Sequence, residues 1–168
     1  NDLVIGELLD WLDVLDLVIV IGGDGTLLSA SRNIVNYDIP VIGVNHGKLG
    51  FMTDVASEEM IQVLDDVLLR NNYTIENRSL LSAEVIRNDK IIFSGIALND
   101  VVISRGAIGH MIEFDISIDQ QFVLSQKSDG VIFSTPTGST AYSLSAGGAI
   151  MHPGSNALSI VPICSQSM

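Results

Sequence analysis

Hydrophobic positions follow two different periods along this chain, and the change falls near residue 75. In the first part, two apolar runs without polar alternation, 17–21 and 40–45, predict parallel strands that are buried on both faces. We expect a helix from about Thr26 to Asn36 between these strands and a loop over residues 46–56 after them. This alternation of strand and helix is typical of an α/β domain.

A second helix is predicted immediately after that loop. Ser57 is placed to cap it, and Glu58 and Glu59 fall in its first turn, where the helix dipole favours acidic side chains. The apolar stripe expected to face the core consists of Met60, Ile61, Leu64, Val67 and Leu68.

From about residue 79 the hydrophobic period becomes two. Ile112–Ile118 alternates strictly between apolar and polar residues, which predicts a strand with one face in water. Asn88 and Asp89 lie between two apolar-rich runs and predict a hairpin turn. This half of the chain is therefore expected to be mostly antiparallel β-structure.

One segment of the second half has a helical pattern instead. We expect a short helix within Thr140–Ile150, capped by Ser139 or Thr140, after a turn at Thr135–Gly138. The complete pattern predicts an α/β N-terminal half with a parallel sheet and helices, followed by a mostly antiparallel β C-terminal half. We place the corresponding domains at residues 1–75 and 76–168.

The charge balance limits the partners of this chain. Asp and Glu number 20 against 8 Lys and Arg, which gives a formal net charge of -12. A surface of this sign argues against binding to nucleic acid or to an anionic membrane. Any phosphate ligand would have to be held by main-chain amides, by a helix N-terminus or through a divalent cation.

Cysteine content and the two ends of the chain add further expectations. Cys164 is the single cysteine, so neither an intrachain disulfide nor a thiolate zinc site is expected, as is typical of a cytoplasmic protein. The chain begins without Met inside an apparent amphipathic helix and stops soon after the apolar run Leu158–Val161. We interpret it as a piece of a longer polypeptide, and we expect residues 1–168 alone to be inactive and prone to associate.

The first polar residue after the 17–21 run is the strongest candidate for chemistry. Asp24 stands where that strand is predicted to stop, and ligands of open α/β sheets bind outside the carboxyl ends of the strands. Gly22, Gly23 and Gly25 remove side chains and permit positive φ, so a phosphate could approach the main-chain amides at the next helix. A tight turn with an aspartate cap is the alternative interpretation.

Three more polar clusters interrupt the predicted strands. They are Asn99-Asp100, Lys127–Gly130 and the hydroxyl-rich tract Ser134–Ser145. Taken singly, they are also typical of a β-bulge, a hairpin turn and a capped surface loop respectively.

Taken together, these clusters resemble the NAD kinase family. The matching segments, in the order found in the family, are Gly22–Thr26, Asn45–Phe51, Asn99-Asp100, Ser128–Gly130 and Thr135–Gly148. The resemblance implies transfer of a phosphoryl group from ATP, or from polyphosphate in some members, to the 2′-hydroxyl of the adenosine ribose of NAD. It also implies Mg²⁺ or another divalent cation with ATP, and a homo-oligomer, either a dimer or a tetramer.

The resemblance also implies roles for individual residues. Asp24 would be the catalytic carboxylate, and the phosphates would lie on Gly22, Gly23, Gly25 and Thr26. No metal-ligating side chain is implied. The positions implied for substrate binding are Asp24, Gly25, Phe51, Asn99, Asp100, His110, Lys127, Asp129, Thr140, Ala141, Tyr142, Ser143, Leu144 and Ser145.

Two other functions remain open from the sequence. The Gly-Gly-Asp-Gly element is shared with diacylglycerol and sphingosine kinases, so a lipid kinase is one alternative, although the acidic surface argues against it. A catalytically silent dinucleotide-binding module is the other. An acid held between three glycines disfavours that module, because a protein that only binds has no need for a base beside a ribose hydroxyl.

Overall fold

The computed structural model describes residues 14–46, 50–53, 55–107 and 109–166. The chain divides into two compact units between Glu76 and Asn77. Within the described ranges, no helix is long and apolar enough to cross a membrane.

The described residues of the first unit form a parallel sheet and two helices. Its elements are β1 (Val18–Ile21), α1 (Asp24–Ile34), β2 (Val41–Asn45), β3 (Val55–Ala56) and α2 (Met60–Leu68). β2 lies in the middle of the sheet and pairs in parallel with both β1 and β3. The predicted α/β character of this half is confirmed.

The core of the first unit lies between β1 and α1. Val18 and Val20 on the strand pack with Leu27 and Ile34 on the helix. Burial of each such side chain contributes about 1.5–3 kcal/mol. Ile19 and Ile21, on the opposite face of β1, are exposed. The prediction that β1 is buried on both faces is therefore wrong for the described residues, where α1 covers one face.

The loop and helix boundaries of this unit also differ from the prediction. α1 begins at Asp24 because Gly23, in an extended conformation, is the N-cap, so the helix starts two residues earlier than expected. The loop predicted over residues 46–56 contains the short strand β3. These differences arise because the loop returns to the sheet and pairs with β2, which local pattern does not reveal.

The predicted cap of the second helix is wrong. The Ser57 hydroxyl donates a hydrogen bond to the main-chain oxygen of Asn45 at 2.5 Å, and Glu59 is the N-cap of α2. A hydroxyl used to join the loop to β2 is not available to the helix amides. The apolar stripe of α2 is not fully buried either, since Ile61 and Leu68 are 66% and 58% exposed.

The second unit is antiparallel throughout its described strands, as predicted. Two hairpins, β4–β5 and β7–β8, accompany a three-stranded sheet in the order β10-β9-β6. Its elements are β4 (Leu81–Arg87), β5 (Lys90–Ala97), β6 (Asp100–Ser104), β7 (Ile112–Ile118), β8 (Gln121–Ser128), β9 (Gly130–Ser134), a 3₁₀ helix (Thr137–Thr140), α3 (Tyr142–Ser145) and β10 (Ser159–Ile163).

Two predictions for this half are confirmed in detail. Asn88 and Asp89 join β4 to β5 with φ of 50° and 59°, the left-handed conformations that a two-residue hairpin turn requires. β7 has one wet face, with Ile116 buried while Glu113 and Asp115 are exposed.

The short helix expected within Thr140–Ile150 is confirmed as the four-residue α3, which follows the 3₁₀ helix with Ala141 between them. Two other details expected in this half are wrong. Ser139 caps neither helix, because its hydroxyl donates to the Pro136 oxygen at 2.6 Å. Residues 128–130 do not form a hairpin turn, since β8 pairs with β7 and β9 pairs with β6 and β10.

Candidate active site

The carboxylate of Asp24 lies at the carboxyl end of β1, on the first residue of α1. The loop that follows β2 donates four hydrogen bonds to it. Oδ2 accepts the Phe51 amide at 2.9 Å, whereas Oδ1 accepts the Met52 amide at 3.1 Å, the Thr53 amide at 3.1 Å and the Thr53 hydroxyl at 3.2 Å. The side chain is therefore held in one orientation at the edge of the sheet.

These hydrogen bonds decide the charge of Asp24. Partial burial alone would raise its pKa, but the amides of Phe51, Met52 and Thr53 together with the Thr53 hydroxyl outweigh that effect. The pKa of Asp24 consequently lies below its usual value, because hydrogen bonds to the charged form favour it. The site presents a carboxylate that is ionised at neutral pH.

Two hydrogen bonds between buried side chains support the carboxylate. The Asn45 side-chain amide donates to the Thr53 hydroxyl at 2.9 Å, and that hydroxyl donates to Asp24. Thr53 is 0% exposed and Asn45 is 4% exposed. From the sequence, Asn45 was identified only as part of the Asn45–Phe51 segment that matches the family, and no role was predicted for Thr53. A polar residue ending a buried strand was the available signal for Asn45, whereas Thr53 carries no comparable signal.

The glycines around Asp24 provide space and not unusual backbone conformations. None of Gly22, Gly23 and Gly25 has positive φ, so that part of the expectation is wrong. A Cβ at Gly22 would lie 2.7 Å from Cβ of Thr26, so this glycine makes room for a neighbouring side chain. Cβ atoms at Gly23 and Gly25 would meet nothing within 4 Å. The first-turn amides of α1 thus stand beside open space, where a helix N-terminus favours an anion.

Gly50, and not the glycines around Asp24, packs closely against the carboxylate. A Cβ on Gly50 would lie 2.7 Å from Cγ and 2.8 Å from Oδ2 of Asp24, which is too close for any real side chain. The next residue, Phe51, gives its amide to Asp24 while its ring is 71% exposed. This loop therefore presents an exposed aromatic ring on the residue whose amide binds the carboxylate.

In the second unit, Asn99 and Asp100 lie where β5 ends and β6 begins. The main-chain oxygen of Asn99 accepts the Thr135 amide at 2.9 Å and the Thr135 hydroxyl at 3.1 Å. A Cβ on Gly138 would lie 2.7 Å from Cα of Asn99, so the 3₁₀ helix packs directly on this residue. Two of the three polar clusters singled out in the sequence, Asn99-Asp100 and Ser134–Ser145, are thus brought together.

The side chains of Asn99 and Asp100 are less well stabilised by hydrogen bonds than the Asn99 main chain. Among the described residues, the buried Oδ1 of Asn99 accepts no hydrogen bond. Burial raises the pKa of Asp100, because desolvation disfavours its charged carboxylate. A buried orphan acceptor costs about 1–3 kcal/mol, and such costs are concentrated at binding sites.

Side chains of the Ser134–Ser145 tract divide into a buried group and an outer group. The hydroxyls of the buried group hold the fold through their hydrogen bonds, and Ser139, for example, accepts the Met151 amide at 3.0 Å. This group consists of Ser134, Thr135, Thr137, Ser139 and Ser143. Ser143 lies 3.4 Å from the Ser159 hydroxyl. On the outer side, Tyr142, Leu144 and Ser145 are exposed, while Thr140 and Ala141 are half-buried.

The remaining predicted residues lie at one end of the β7–β8 hairpin. Lys127 and His110 are exposed, and Ile112 at the start of β7 pairs with Ser128 at the end of β8. Asp129 is engaged in an ion pair, with Nε of Arg105 2.7 Å from its Oδ1. Any ligand of Asp129 would have to share the carboxylate with Arg105, which the sequence did not reveal.

Metal-ligating groups are not assembled by the described residues. Within those ranges, no three His, Cys, Asp or Glu side chains lie together in a way that could hold an ion. A divalent cation would therefore have to bring most of its oxygen ligands with it, as Mg²⁺ does when it binds with nucleotide phosphates.

Both halves of the chain match family models. Residues 12–73 match the ATP-NAD kinase N-terminal domain, and residues 98–168 match the ATP-NAD kinase C-terminal domain. The chain belongs to the NAD kinase family. Curated NAD kinases are similar over most of its length: that of Chromobacterium violaceum is 55% identical over 91% of this chain, and that of Pseudomonas putida is 56% identical over 90%.

Solved structures agree with this assignment. A yeast NADH kinase in complex with NADH superposes with a TM-score of 0.88 at 36% identity, covering 97% of this chain and 48% of that one. An NAD kinase from Archaeoglobus fulgidus in complex with ATP gives a TM-score of 0.69 at 28% identity, covering 93% and 59%. Neither a lipid kinase nor a silent dinucleotide-binding module finds support among these NAD kinase relatives.

The chain spans about half the length of the curated NAD kinases that it matches, 52% for the Chromobacterium violaceum protein and 51% for the Pseudomonas putida protein. The site residues described above belong to this half.

Proposed function

We propose that the polypeptide containing this chain is an NAD kinase, which transfers the γ-phosphoryl group of ATP to the 2′-hydroxyl of the adenosine ribose of NAD and so makes NADP. The observation that carries this proposal is the carboxylate of Asp24, fixed at a strand end by four hydrogen bonds from residues 51–53. Membership of the NAD kinase family and the likeness to kinases solved with NADH and with ATP supply the substrates.

Asp24 would orient the ribose hydroxyl and accept its proton. A lowered pKa makes the carboxylate a weak base but keeps it ionised at neutral pH. Phosphoryl transfer tolerates a weak base because its transition state is loose, so positioning and electrostatic stabilisation dominate the rate. Proton acceptance typically contributes about 10²–10⁴-fold. A rigid, ionised carboxylate therefore suits this reaction.

Phosphates would be bound at the N-terminus of α1. Open space at Gly23 and Gly25 lets a phosphate reach the first-turn amides, whose helix dipole favours negative charge. The acidic balance of the chain, 20 acids against 8 bases, leaves much of the triphosphate charge to a divalent cation. We therefore propose that ATP enters as its Mg²⁺ complex.

The dinucleotide would be bound by the second unit through Asn99 and Asp100. Ribose hydroxyls and the adenine amino group are donors, and the unpaired Oδ1 of Asn99 is a buried acceptor in need of one. A hydrogen bond from a ribose hydroxyl would stabilise the charged form of the Asp100 carboxylate, which burial disfavours. Exposed Tyr142 offers an aromatic surface for packing, as Phe51 does in the first unit for the adenine. Lys127, Asp129, His110 and residues 140–145 are proposed as further contacts.

Further proposals concern organisation and location. We propose that residues 1–75 form the phosphoryl-transfer domain and residues 76–168 the NAD-binding domain. A homo-oligomer, dimer or tetramer, is supported by the exposed apolar side chains of the β4–β5 hairpin, among them Ile86, Ile91 and Phe93. Cytoplasmic location is supported by the single cysteine, Cys164, which is free and exposed.

The test is NADP formation by the complete polypeptide from ATP and NAD, read with an NADP-specific dehydrogenase. Asp24→Asn keeps the shape of the side chain and removes its charge, so kcat should fall by about 10²–10⁴-fold while NAD still binds. Failure of the parent enzyme to make NADP would refute the proposed function. Turnover near the parent rate in Asp24→Asn would remove Asp24 from the mechanism.

A further inference from the structure

The two oxygens of the Asp24 carboxylate have unequal surroundings. Oδ1 accepts three hydrogen bonds, two from the amides of Met52 and Thr53 and one from the Thr53 hydroxyl. Oδ2 accepts one, from the Phe51 amide. Because a carboxylate offers about four lone-pair positions on its two oxygens, Oδ1 is saturated and Oδ2 keeps one position open.

The Thr53 side chain that completes this set is held on two sides. Its hydroxyl accepts the Asn45 side-chain amide at 2.9 Å, which leaves its proton for Oδ1 of Asp24. Its methyl group packs on the backbone of Gly43, where an added Cβ would lie 3.0 Å from Cγ2 of Thr53. Thr53 and Asn45 are both buried, so water does not compete for these bonds.

We propose that Thr53, oriented by Asn45, is a positioning residue that occupies Oδ1 and thereby makes Oδ2 the oxygen of Asp24 that reacts. This deepens the proposed function and rests on it. In the step itself, the ribose 2′-oxygen forms a bond to the γ-phosphorus of ATP and its proton passes to Oδ2. The bond from the γ-phosphorus to the bridging oxygen breaks, and ADP leaves with that electron pair.

No other titratable group complicates this assignment within the described residues. The groups that act on the carboxylate are the amides of Phe51, Met52 and Thr53 and the Thr53 hydroxyl, none of which ionises near neutral pH. Gly50, which packs against the carboxylate, has no side chain. Asp100, whose pKa is raised by burial, is unchanged in every variant, so a difference between variants in the acid limb of the kcat profile reports the surroundings of Asp24.

The test compares variants of the complete polypeptide in the NADP-formation assay. Thr53→Val keeps the methyl group that packs on Gly43 and replaces the hydroxyl with a second methyl, so a hydrogen bond to the charged form of Asp24 is lost. We expect kcat to fall about tenfold, as for loss of one hydrogen bond to a charged group, with the acid limb of the kcat profile moved to higher pH. The NAD KM should stay near the parent value, because Thr53 does not touch substrate.

Four further variants separate positioning from folding. Thr53→Ser restores the hydroxyl and should recover both rate and profile, whereas Asn45→Ala should move the profile in the same direction by a smaller amount. Ser57→Ala is the matched control and should keep the parent profile, since the Ser57 hydroxyl bonds to the Asn45 main-chain oxygen and not to the side chains of Asn45, Thr53 and Asp24. Thr53→Ala carries the test if Thr53→Val does not fold.

The outcomes are distinguishable from failure of the proposed function. An inactive parent enzyme refutes the NAD kinase proposal itself. An active parent, together with Thr53→Val or Thr53→Ala at the parent rate, overturns the positioning role. A lower rate with an unchanged pH profile, matched by a lower melting temperature, also overturns it, because a purely structural residue would behave in that way.

Discussion

Replacement of Gly50 by alanine tests the geometry around Asp24 with a single methyl group. The Cβ of Gly50→Ala would lie closest to Oδ1 of Asp24, 2.7 Å from its Cγ and 2.8 Å from its Oδ2. An ordinary contact of this kind is about 3.4 Å, so the carboxylate or the loop must move by at least about 0.7 Å. Gly50 itself does not have positive φ, and the effect is therefore steric and not conformational.

The expected loss follows from that displacement. A misplacement of about 1 Å at a reacting group can cost 10²-fold in rate, so about 0.7 Å should lower kcat by roughly 10- to 100-fold. The movement also weakens the hydrogen bonds to both carboxylate oxygens, those of Met52 and Thr53 to Oδ1, which is nearest to the added methyl, and that of the Phe51 amide to Oδ2. The NAD KM should change less than kcat, because only Asp24 and Phe51 of the proposed dinucleotide contacts are displaced, whereas those proposed for Asn99 and Asp100 belong to the other unit.

Steady-state kinetics of the complete polypeptide, with NAD and ATP varied separately, measure this effect. Gly154→Ala is the matched control: its Cβ would lie 3.4 Å from Nδ1 of His152, an ordinary contact, and its kinetics should equal those of the parent. Thermal unfolding of both variants shows whether the change is confined to the site. Parent-like kcat in a folded Gly50→Ala enzyme would refute the close packing of Gly50 on the carboxylate as a determinant of the rate.

Three other outcomes are expected. Asn99→Ala and Tyr142→Ala should raise the NAD KM while leaving the ATP KM nearly unchanged, and equal weakening of both substrates, with altered circular dichroism, would point to misfolding instead. Because the chain carries 8 basic residues against 20 acids, excess chelator should abolish NADP formation and Mg²⁺ or Mn²⁺ should restore it; full activity in chelator contradicts this. The pKa of Asp24 is held below its usual 3.8, so its ionised form stabilises the fold above that pH, and the contribution is lost as the pH falls from 3.8 through the folded-state pKa. The free energy of unfolding of Asp24→Asn, from urea titrations, should therefore vary less with pH in that acid range than that of the parent; equal slopes would show that these hydrogen bonds do not stabilise the charge.

Features set by neighbouring residues were predictable from the sequence. The periods of 3.6 and two distinguished the parallel α/β half from the antiparallel half, because one repeat reflects a helix face and the other a strand face. Asn88 and Asp89 identified a hairpin turn, since few residues tolerate its left-handed backbone. Asp24 was identifiable for a similar reason: the first polar residue after a strand of a parallel sheet lies at the edge of the sheet where ligands bind.

Features set by distant contacts were not predictable. The Ser57 hydroxyl bonds back to β2 and not to the helix that follows it, and Ser143 lies against Ser159 inside the second unit. From sequence alone, a hydroxyl that holds the fold looks the same as one that binds a ligand. Pairing of β9 with β6 and β10, in place of a β8–β9 hairpin, likewise depends on segments far away in the chain.

The candidate catalytic centre shows the same division. The sequence by itself determined that an acid between glycines ends the first strand, and the family resemblance rested on that local pattern. Only the tertiary structure brings residues 50–53 to Asp24, across more than one element of the chain, and so decides its charge, its orientation and which oxygen stays open. The physical reason is that hydrophobic periodicity and the residues that bound a strand are local properties of the chain, whereas the pKa and orientation of a side chain depend on the donors that the folded chain places beside it.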